Sequence, residues 1–187
     1  MYGILTYLPF EQTSGSKTIS HIIIDGYNVI GIFHKDMEKA REEFISLLIR
    51  YRKISLHDIT VVFDGHKGGS GVEQSEVRGG VKAIYSRLAE RADDVIKRML
   101  SSENREWIMV SSDRDIANHA WAVNSIPIHS DRFLDIVSRR VGKALNGNET
   151  TLPSESENED EDYDNRRGNP RRMSKKDKAV IRALGKL

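Results

Sequence analysis

The sequence predicts an α/β domain built on a mainly parallel central sheet. Three short apolar runs indicate buried strands: HIIID at 21–25, ITVVFD at 59–64 and WIMVSSD at 107–113. Unbroken runs of β-branched and apolar residues are typical of strands that are covered on both faces, as in parallel sheets. Segments with helical periodicity lie between the runs, as expected when helices cover such a sheet.

The composition fits one domain with a polar C-terminal extension. The chain has 187 residues, a formal net charge of +1 and no cysteine. The lack of cysteine excludes disulfides, thiolate metal sites and cysteine nucleophiles. No apolar stretch approaches the roughly 20 residues of a membrane span, and the first residues lack the basic region of a signal peptide. We therefore expect a cytoplasmic protein without a membrane partner.

The spacing of apolar residues divides the first part of the chain into an extension, a helix and a loop. Residues 1–19 lack a sustained period and are treated as an N-terminal extension, so that the domain spans residues 20–145. Apolar residues recur at helical spacing from Met37 to Tyr51, which predicts a helix covering the sheet. The Gly-rich segment 65–80 is predicted to be a long loop, and loops of that length are usually functional or disordered.

Two interpretations fit residues 81–100. The apolar spacing is compatible with one long amphipathic helix, or with a short strand VKAIYS, a turn and a helix that starts near Ala92. We favour the second because it places Asp93 and Asp94 in the first turn of a helix, where the helix dipole stabilises acidic side chains. It also brings both carboxylates to the edge of the sheet where the strands end.

The last part of the domain continues the alternation of helix and strand. Residues 115–123 are predicted to form a helix, 125–130 a short strand and 131–145 a final helix. Asp131 is the expected N-cap of that helix, since its side chain can accept a hydrogen bond from a free backbone N–H.

The C-terminal region changes the sign of its charge. Residues 146–165 are acidic, contain few apolar residues and are predicted to be a disordered linker. Residues 166–187 form a basic tail with nine Lys or Arg and one Asp, and Ser174 and Asp177 have the spacing of a capping box for a short helix. The tail could contact RNA or the ribosome, or it could be a solubilising terminus; the predicted RNA contacts are Arg171, Arg172, Lys175 and Lys176.

Aspartates follow the three predicted strands. Asp25, Asp64 and Asp113 stand where these strands end, and the carboxyl ends of parallel strands meet at the edge where α/β sheets bind ligands. Carboxylates repel one another unless a cation compensates, and oxygen ligands suit Mg²⁺ or Mn²⁺. The sequence therefore predicts a metal site at this edge, although Asp64 could equally shape a turn with Gly65.

Four acidic motifs carry a family resemblance. DGYN at 25–28, FDG at 63–65, ADDVI at 92–96 and SSDRDI at 111–116 resemble, in order and separation, the bacterial YacP-like NYN domain of the PIN-like nuclease superfamily. The closing segment NPRRMSKKDKAVIRALGKL is similar to the tail of such proteins. The resemblance implies a Rossmann-like three-layer sandwich and metal-dependent endoribonuclease activity, with a ribosome-linked role in some members.

The resemblance also implies site residues. Carried over by position, the expected catalytic residues are Asp25, Asp93, Asp113, Asp64 and the polar orienter Asn28. The expected metal ligands are Asp25, Asp93 and Asp113, with Asp94 and Asp115 nearby. Asp94 could instead pair with Lys97 or Arg98 on the helix surface.

Phosphodiester hydrolysis fits this set of residues. Two metal ions about 4 Å apart can activate water and stabilise the charge on the phosphate, so that no nucleophilic side chain is required. Cationic side chains would then hold the RNA backbone. The candidates within the domain are Lys67, Arg78, Lys82 and Arg114.

Other classes of protein fit less well. GHKGGSG lacks the Lys and hydroxyl residue that end a Walker loop, which excludes a P-loop NTPase. A haloacid dehalogenase type phosphohydrolase needs a second Asp two residues after the first, where Tyr27 stands. A non-catalytic RNA- or ribosome-binding module stays the alternative, and the acidic cluster argues for catalysis because carboxylates weaken RNA binding unless a metal is present.

Overall fold

The computed structural model describes residues 19–31, 36–65, 71–103, 105–145 and 173–187. The strands in these ranges are β1 His21–Asp25, β2 Asp58–Phe63, β3 Gln74–Arg78, β4 Val81–Tyr85, β5 Trp107–Val110 and β6 Ile126–Ile128. The helices are α1 Gly26–Ile30, α2 Met37–Ser55, α3 Ala92–Ser102, α4 Arg114–Ala122, α5 Ser130–Leu145 and α6 Lys175–Lys186.

The strands form one sheet in the order β3-β4-β2-β1-β5-β6. All neighbours are parallel except β3 and β4, which are antiparallel. The three predicted apolar strands are β2, β1 and β5 at the centre, which confirms the mainly parallel sheet. The chain leaves β1 toward β2 on one side and returns to β5 on the other, so that a topological switch point lies between β1 and β5.

Helices cover both faces of the sheet and give the predicted three layers. Along β1, Ile22 and Ile24 pack into the core shared with α2 and α5, whereas Ile23 faces the core beneath α3 and α4. This alternation follows from the two-residue period of a strand. All three isoleucines are fully buried, as the unbroken apolar run predicts. None of the helices in the described ranges is long and apolar enough to cross a membrane.

The predicted loop at 65–80 is wrong over Gln74–Arg78, because these residues form the edge strand β3. Its residues are mostly exposed and polar, so that the sequence carries no apolar pattern to reveal a strand. Its pairing depends on the neighbour β4, reached by a turn in which Gly79 and Gly80 have φ angles of 56° and 83°. Positive φ at both turn positions is the geometry that tight hairpins need.

The structure confirms the strand-plus-helix interpretation of 81–100, with β4 followed by α3 from Ala92. The expected N-cap at Asp131 is wrong by two residues, because α5 already begins at Ser130, so that His129 occupies the N-cap position and Asp131 lies in the first turn. Helix boundaries of this kind shift by a residue or two when tertiary contacts engage the first turn. Here the Ser130 hydroxyl donates to Asn28 Oδ1.

Helix α6 packs onto the same core as the rest of the fold. Ala183 and Leu187 are fully buried, and the Tyr51 hydroxyl donates to the Leu187 carbonyl at 2.5 Å. The predicted capping box of Ser174 and Asp177 is present. The predicted domain end at residue 145 therefore leaves out a helix that shares the core. The N-terminal extension up to residue 18 and the acidic linker lie outside the described residues.

Candidate active site

Asp25 is the most enclosed acidic group at the carboxyl edge of the sheet. It ends β1, and its Oδ1 caps α1 by accepting from the Asn28 backbone N–H at 3.3 Å. The residue is only 7% exposed. Burial raises the pKa of Asp25 to about 6, against two hydrogen bonds that lower it, and the charges of Asp93 and Asp64 raise it further. An anion at this position is therefore destabilised until a cation or a proton compensates it.

Ser111 connects Asp25 with the next strand. Its Oγ donates to Asp25 Oδ2 at 3.2 Å and accepts from the Asp113 backbone N–H at 3.0 Å. Asp113 in turn caps α4, because its Oδ1 accepts from the N–H groups of Asp115 at 2.7 Å and Ile116 at 3.3 Å. The ends of β1 and β5 are thus fixed to each other on both sides of the switch point.

Asp64 and Asp93 approach from the other side of β1. Asp64 Oδ1 accepts from the Ala92 backbone N–H at 2.7 Å and so caps α3, whose N-cap residue Arg91 makes no such bond itself. Burial raises the pKa of Asp93, the paired Arg91 at 2.8 Å opposes this, and the charges of Asp113 and Asp64 add to it. Asp64 therefore does shape the entry into a helix, and its charge also acts on the buried acidic group.

The glycines of the DGYN and FDG motifs allow the strand ends to lie close to neighbouring residues. A Cβ on Gly26 would lie 2.3 Å from the Phe63 ring, and a Cβ on Gly65 would lie 2.1 Å from the Ser86 carbonyl oxygen. The Gly65 N–H also donates to Ser86 Oγ at 2.9 Å. Any side chain at either position would push the strand ends apart, which is why these motifs contain glycine after the aspartate.

Asn28 is held by two neighbouring elements. Its Oδ1 accepts from the Ser112 backbone N–H at 2.6 Å and from the Ser130 hydroxyl. The side chain therefore joins α1, the turn after β5 and the start of α5. The orienting role of Asn28 stays a prediction, and no sequence pattern indicated its contact with Ser130.

The two other predicted ligands lie farther out on the surface. Asp115 is exposed and pairs with Lys97, whose hydrogen bond lowers the pKa of the Asp115 carboxyl. Asp94 is also exposed, on the outer side of the first turn of α3. The structure thus brings Asp25, Asp64, Asp93 and Asp113 into electrostatic contact and leaves Asp94 and Asp115 at the rim.

The donor set agrees in its chemistry with a hard divalent cation. All four inner groups are carboxylates, and oxygen ligands are those that Mg²⁺ and Mn²⁺ prefer. Within the described ranges, however, no three His, Asp or Glu side chains stand close enough together to hold a metal ion. A bound cation would have to draw the carboxylate oxygens into a tighter group.

The predicted RNA-binding residues differ in their surroundings. Arg78 is engaged by both oxygens of Glu42, at 3.0 and 2.8 Å, so that its charge is already compensated. Lys82, Arg114 and Lys175 are exposed. Lys176 lies on α6 with its Nζ 5.2 Å from the centre of the Trp121 ring. Lys67, Arg171 and Arg172 lie outside the described residues.

One cation beside the acidic edge was missed by sequence reasoning. Arg41 lies on α2 with a side chain only 14% exposed, and its guanidinium carbon is 5.5 Å from the centre of the Tyr85 ring. Burial raises the pKa of the Tyr27 hydroxyl, whereas a hydrogen bond from Arg41 lowers it. In the sequence Arg41 looks like one of the many charges on the solvent side of α2, and only the packing distinguishes it.

Comparisons with known proteins agree with this architecture. The family model of the YacP-like NYN domain matches residues 22–180. A crystal structure of Rae1 (YacP) from Bacillus subtilis is similar with a TM-score of 0.53 and 21% identity over 68% of this chain and 80% of that chain. A point mutant of Rae1 gives a TM-score of 0.55 and 20% identity over 68% and 82%.

These structural similarities show a shared fold, that of a PIN-like NYN domain. No significant match is found among curated proteins. The family match covers far more than half of the 187 residues. The chain therefore belongs to the YacP-like NYN domain family, a branch of the PIN-like nuclease superfamily.

Proposed function

We propose that the protein is a cytoplasmic, metal-dependent endoribonuclease that hydrolyses RNA phosphodiester bonds at the carboxyl edge of its sheet. The observation that carries the proposal is the buried carboxylate of Asp25, linked through Ser111 to Asp113 and placed within the electrostatic reach of Asp93 and Asp64. Helix capping accounts for Asp25, Asp64 and Asp113 one at a time. It does not require four carboxylates at one edge, because neutral Asn or Ser side chains cap helices as well and like charges cost stability. Membership in a nuclease superfamily supports the same conclusion.

Each carboxylate has a distinct task in this proposal. Asp113 and Asp64 each cap a helix through the Oδ1 atom. Within the described part of the chain, no hydrogen bond engages their Oδ2 atoms. Asp25, Asp93 and Asp113 would hold the cation, while Asp94 and Asp115 would contribute from the rim. A bound Mg²⁺ or Mn²⁺ would supply activated water and charge stabilisation at the phosphate.

The surrounding polar groups position these carboxylates. Ser111 donates to Asp25, which stabilises its charged form and restricts its rotation. Asn28 keeps the turn after β5 against α1, because its Oδ1 accepts from the Ser112 N–H. Neither residue needs to react with RNA itself. Their contribution is a fixed geometry, which matters because small displacements of catalytic groups reduce rates strongly.

RNA associated with the ribosome is the substrate that we infer for the full chain. The family resemblance carries this part of the proposal, together with the basic residues Lys175, Lys176 and Lys178 at the exposed start of α6. Clustered lysines neutralise several phosphates at once and bind structured RNA without reading its sequence.

Cleavage of a single-stranded RNA by the purified full chain tests the proposal. We expect products with Mn²⁺ or Mg²⁺ and none with EDTA. Asp25→Asn and Asp113→Asn should each abolish cleavage and keep the fold, since Asn is also a good N-cap. Asp135→Asn, a change to an exposed carboxylate on α5, is the matched control and should stay active. Binding of RNA without cleavage under every metal condition would support the non-catalytic module instead.

A further inference from the structure

A cavity opens beside the acidic edge, between α4, the turn from β6 to α5, and α6. Its volume is about 800 Å³, within the range of ligand pockets. Ser111 and Ser112 form one end of its wall. These residues also hydrogen-bond to Asp25 and Asn28, so that the cavity adjoins the candidate active site. Among the predicted site residues that the structure describes, Arg114 lines it.

The charged groups of the cavity favour an anion. Arg114 and Arg132 both line the cavity, and neither forms an ion pair with any residue that the structure describes. The acidic residue in its wall is Asp177, whose carboxylate is engaged in the capping box with the Ser174 N–H at 3.1 Å. These two guanidinium groups, which have no ion-pair partner among the described residues, are suited to phosphate, because they can bind it through paired hydrogen bonds.

Most of the remaining wall is apolar or aromatic, and Asn118 and His129 add polar groups to it. Trp121 and Ile128 contribute from one side, and Val180 and Ile181 contribute from α6. Ile181 is 51% exposed although it is a large apolar side chain. Aromatic and aliphatic surface next to arginines is the combination that binds the bases and the phosphates of a single strand.

We propose that this cavity is a nucleotide-binding subsite, which holds the RNA strand next to the phosphate that is cleaved. The inference rests on the proposed endoribonuclease function. Arg114 and Arg132 bind backbone phosphates, and a base lies against the apolar wall formed by Trp121 and Ile181. Helix α6 is then a wall of the substrate site, in addition to carrying basic residues. The occupant is single-stranded RNA, because a duplex would keep its bases stacked and away from this wall.

Equilibrium binding of a short fluorescein-labelled single-stranded RNA to the full chain in EDTA tests the subsite without any cleavage. Arg132→Gln should raise Kd about fivefold or more and reduce the salt dependence by about one counterion. Ile181→Glu should weaken binding further by placing a carboxylate in the cavity. Arg139→Gln, which neutralises an exposed arginine of the same helix outside the cavity, is the matched control and should change Kd less than twofold. Thermal unfolding of each variant shows that the fold is retained.

The outcomes separate the subsite from the nuclease. Equal effects of Arg132→Gln and Arg139→Gln, or unchanged binding by Ile181→Glu, would overturn the subsite even if the wild type cleaves RNA with Mn²⁺. Selective loss of binding in Arg132→Gln and Ile181→Glu would establish the subsite even if no metal supports cleavage, and the proposed nuclease activity alone would then fail. Photo-crosslinking of 4-thiouridine RNA should label Trp121 or its neighbours in the cavity, and labels found only elsewhere would contradict the proposed path of the strand.

Discussion

The Ser111 hydroxyl donates to the Asp25 carboxylate at 3.2 Å, and the same oxygen accepts from the Asp113 backbone N–H. Ser111 is 3% exposed, so that this link between two strand ends lies away from water. Its donation favours the charged form of Asp25 in a position where burial disfavours it. The carboxylate that ends β1 and the carboxylate that follows β5 therefore depend on one side chain for their relative position.

We expect Ser111→Ala to destabilise the protein by about 1–3 kcal/mol, because the partly buried Asp113 N–H loses its acceptor and Asp25 loses a donor. The change should also weaken Mn²⁺ binding. Urea unfolding with and without Mn²⁺ measures both effects. Ser138→Ala, at an exposed position of α5, is the control and should stay close to the wild type. A Ser111→Ala protein with unaltered stability would contradict the proposed link.

The pKa of Asp25 predicts a specific pH dependence in metal-free buffer. Its folded value of about 6 lies above the ordinary value of 3.8, so that the folded state binds the proton more tightly. The contribution of Asp25 to the free energy of unfolding is therefore greatest below about pH 4, and it is lost as the pH rises through about 6. This rise in the pKa of Asp25 corresponds to about 3 kcal/mol of the free energy of unfolding.

Asp25→Asn should remove this loss and make the protein more stable than the wild type at neutral pH in EDTA. The two proteins should converge in acid, where the wild-type carboxyl is protonated. Urea unfolding at several pH values measures the difference, and Asp135→Asn is the control. An Asn variant that is less stable than the wild type at pH 7 would show that repulsion and burial do not dominate at this site.

Mn²⁺ or Mg²⁺ should raise the melting temperature of the wild type, because a ligand that binds only the folded state stabilises it by mass action. The shift should be smaller in Asp25→Asn and in Asp113→Asn, which lack one anionic ligand each. Differential scanning fluorimetry over a range of metal concentrations measures it. Equal shifts in the wild type and both variants would place the cation elsewhere on the protein.

Leu187 should contribute strongly to stability despite its distance in sequence from the central sheet. It is fully buried, whereas Leu145 at the end of α5 is 67% exposed. Leu187→Ala should cost about 2–4 kcal/mol through lost burial and the cavity left behind. Leu145→Ala should cost less than about 0.5 kcal/mol. Urea unfolding compares the two, and similar losses would argue against the docking of α6 on the core.

The sequence alone determined which strands form the centre of the sheet and which aspartates stand at their ends. The strands β1, β2 and β5 could be predicted because burial on both faces requires continuous apolar runs, which leave a clear pattern. The positions of Asp25 and Asp64 followed, since each stands at the end of such a run. The capping box of α6 was also evident, because the bonds of Ser174 and Asp177 are local.

Only the tertiary structure decided what depends on neighbours distant in the chain. Strand β3 is polar and exposed, and only its pairing with β4 makes it a strand. Arg78 looked available for RNA, but Glu42 on α2 compensates its charge. Helix α6 looked like a detached tail because a short amphipathic pattern does not reveal its partner. Such contacts arise from three-dimensional packing between segments that no sequence period connects, and this packing also places Arg132 and Ile181 beside the acidic edge.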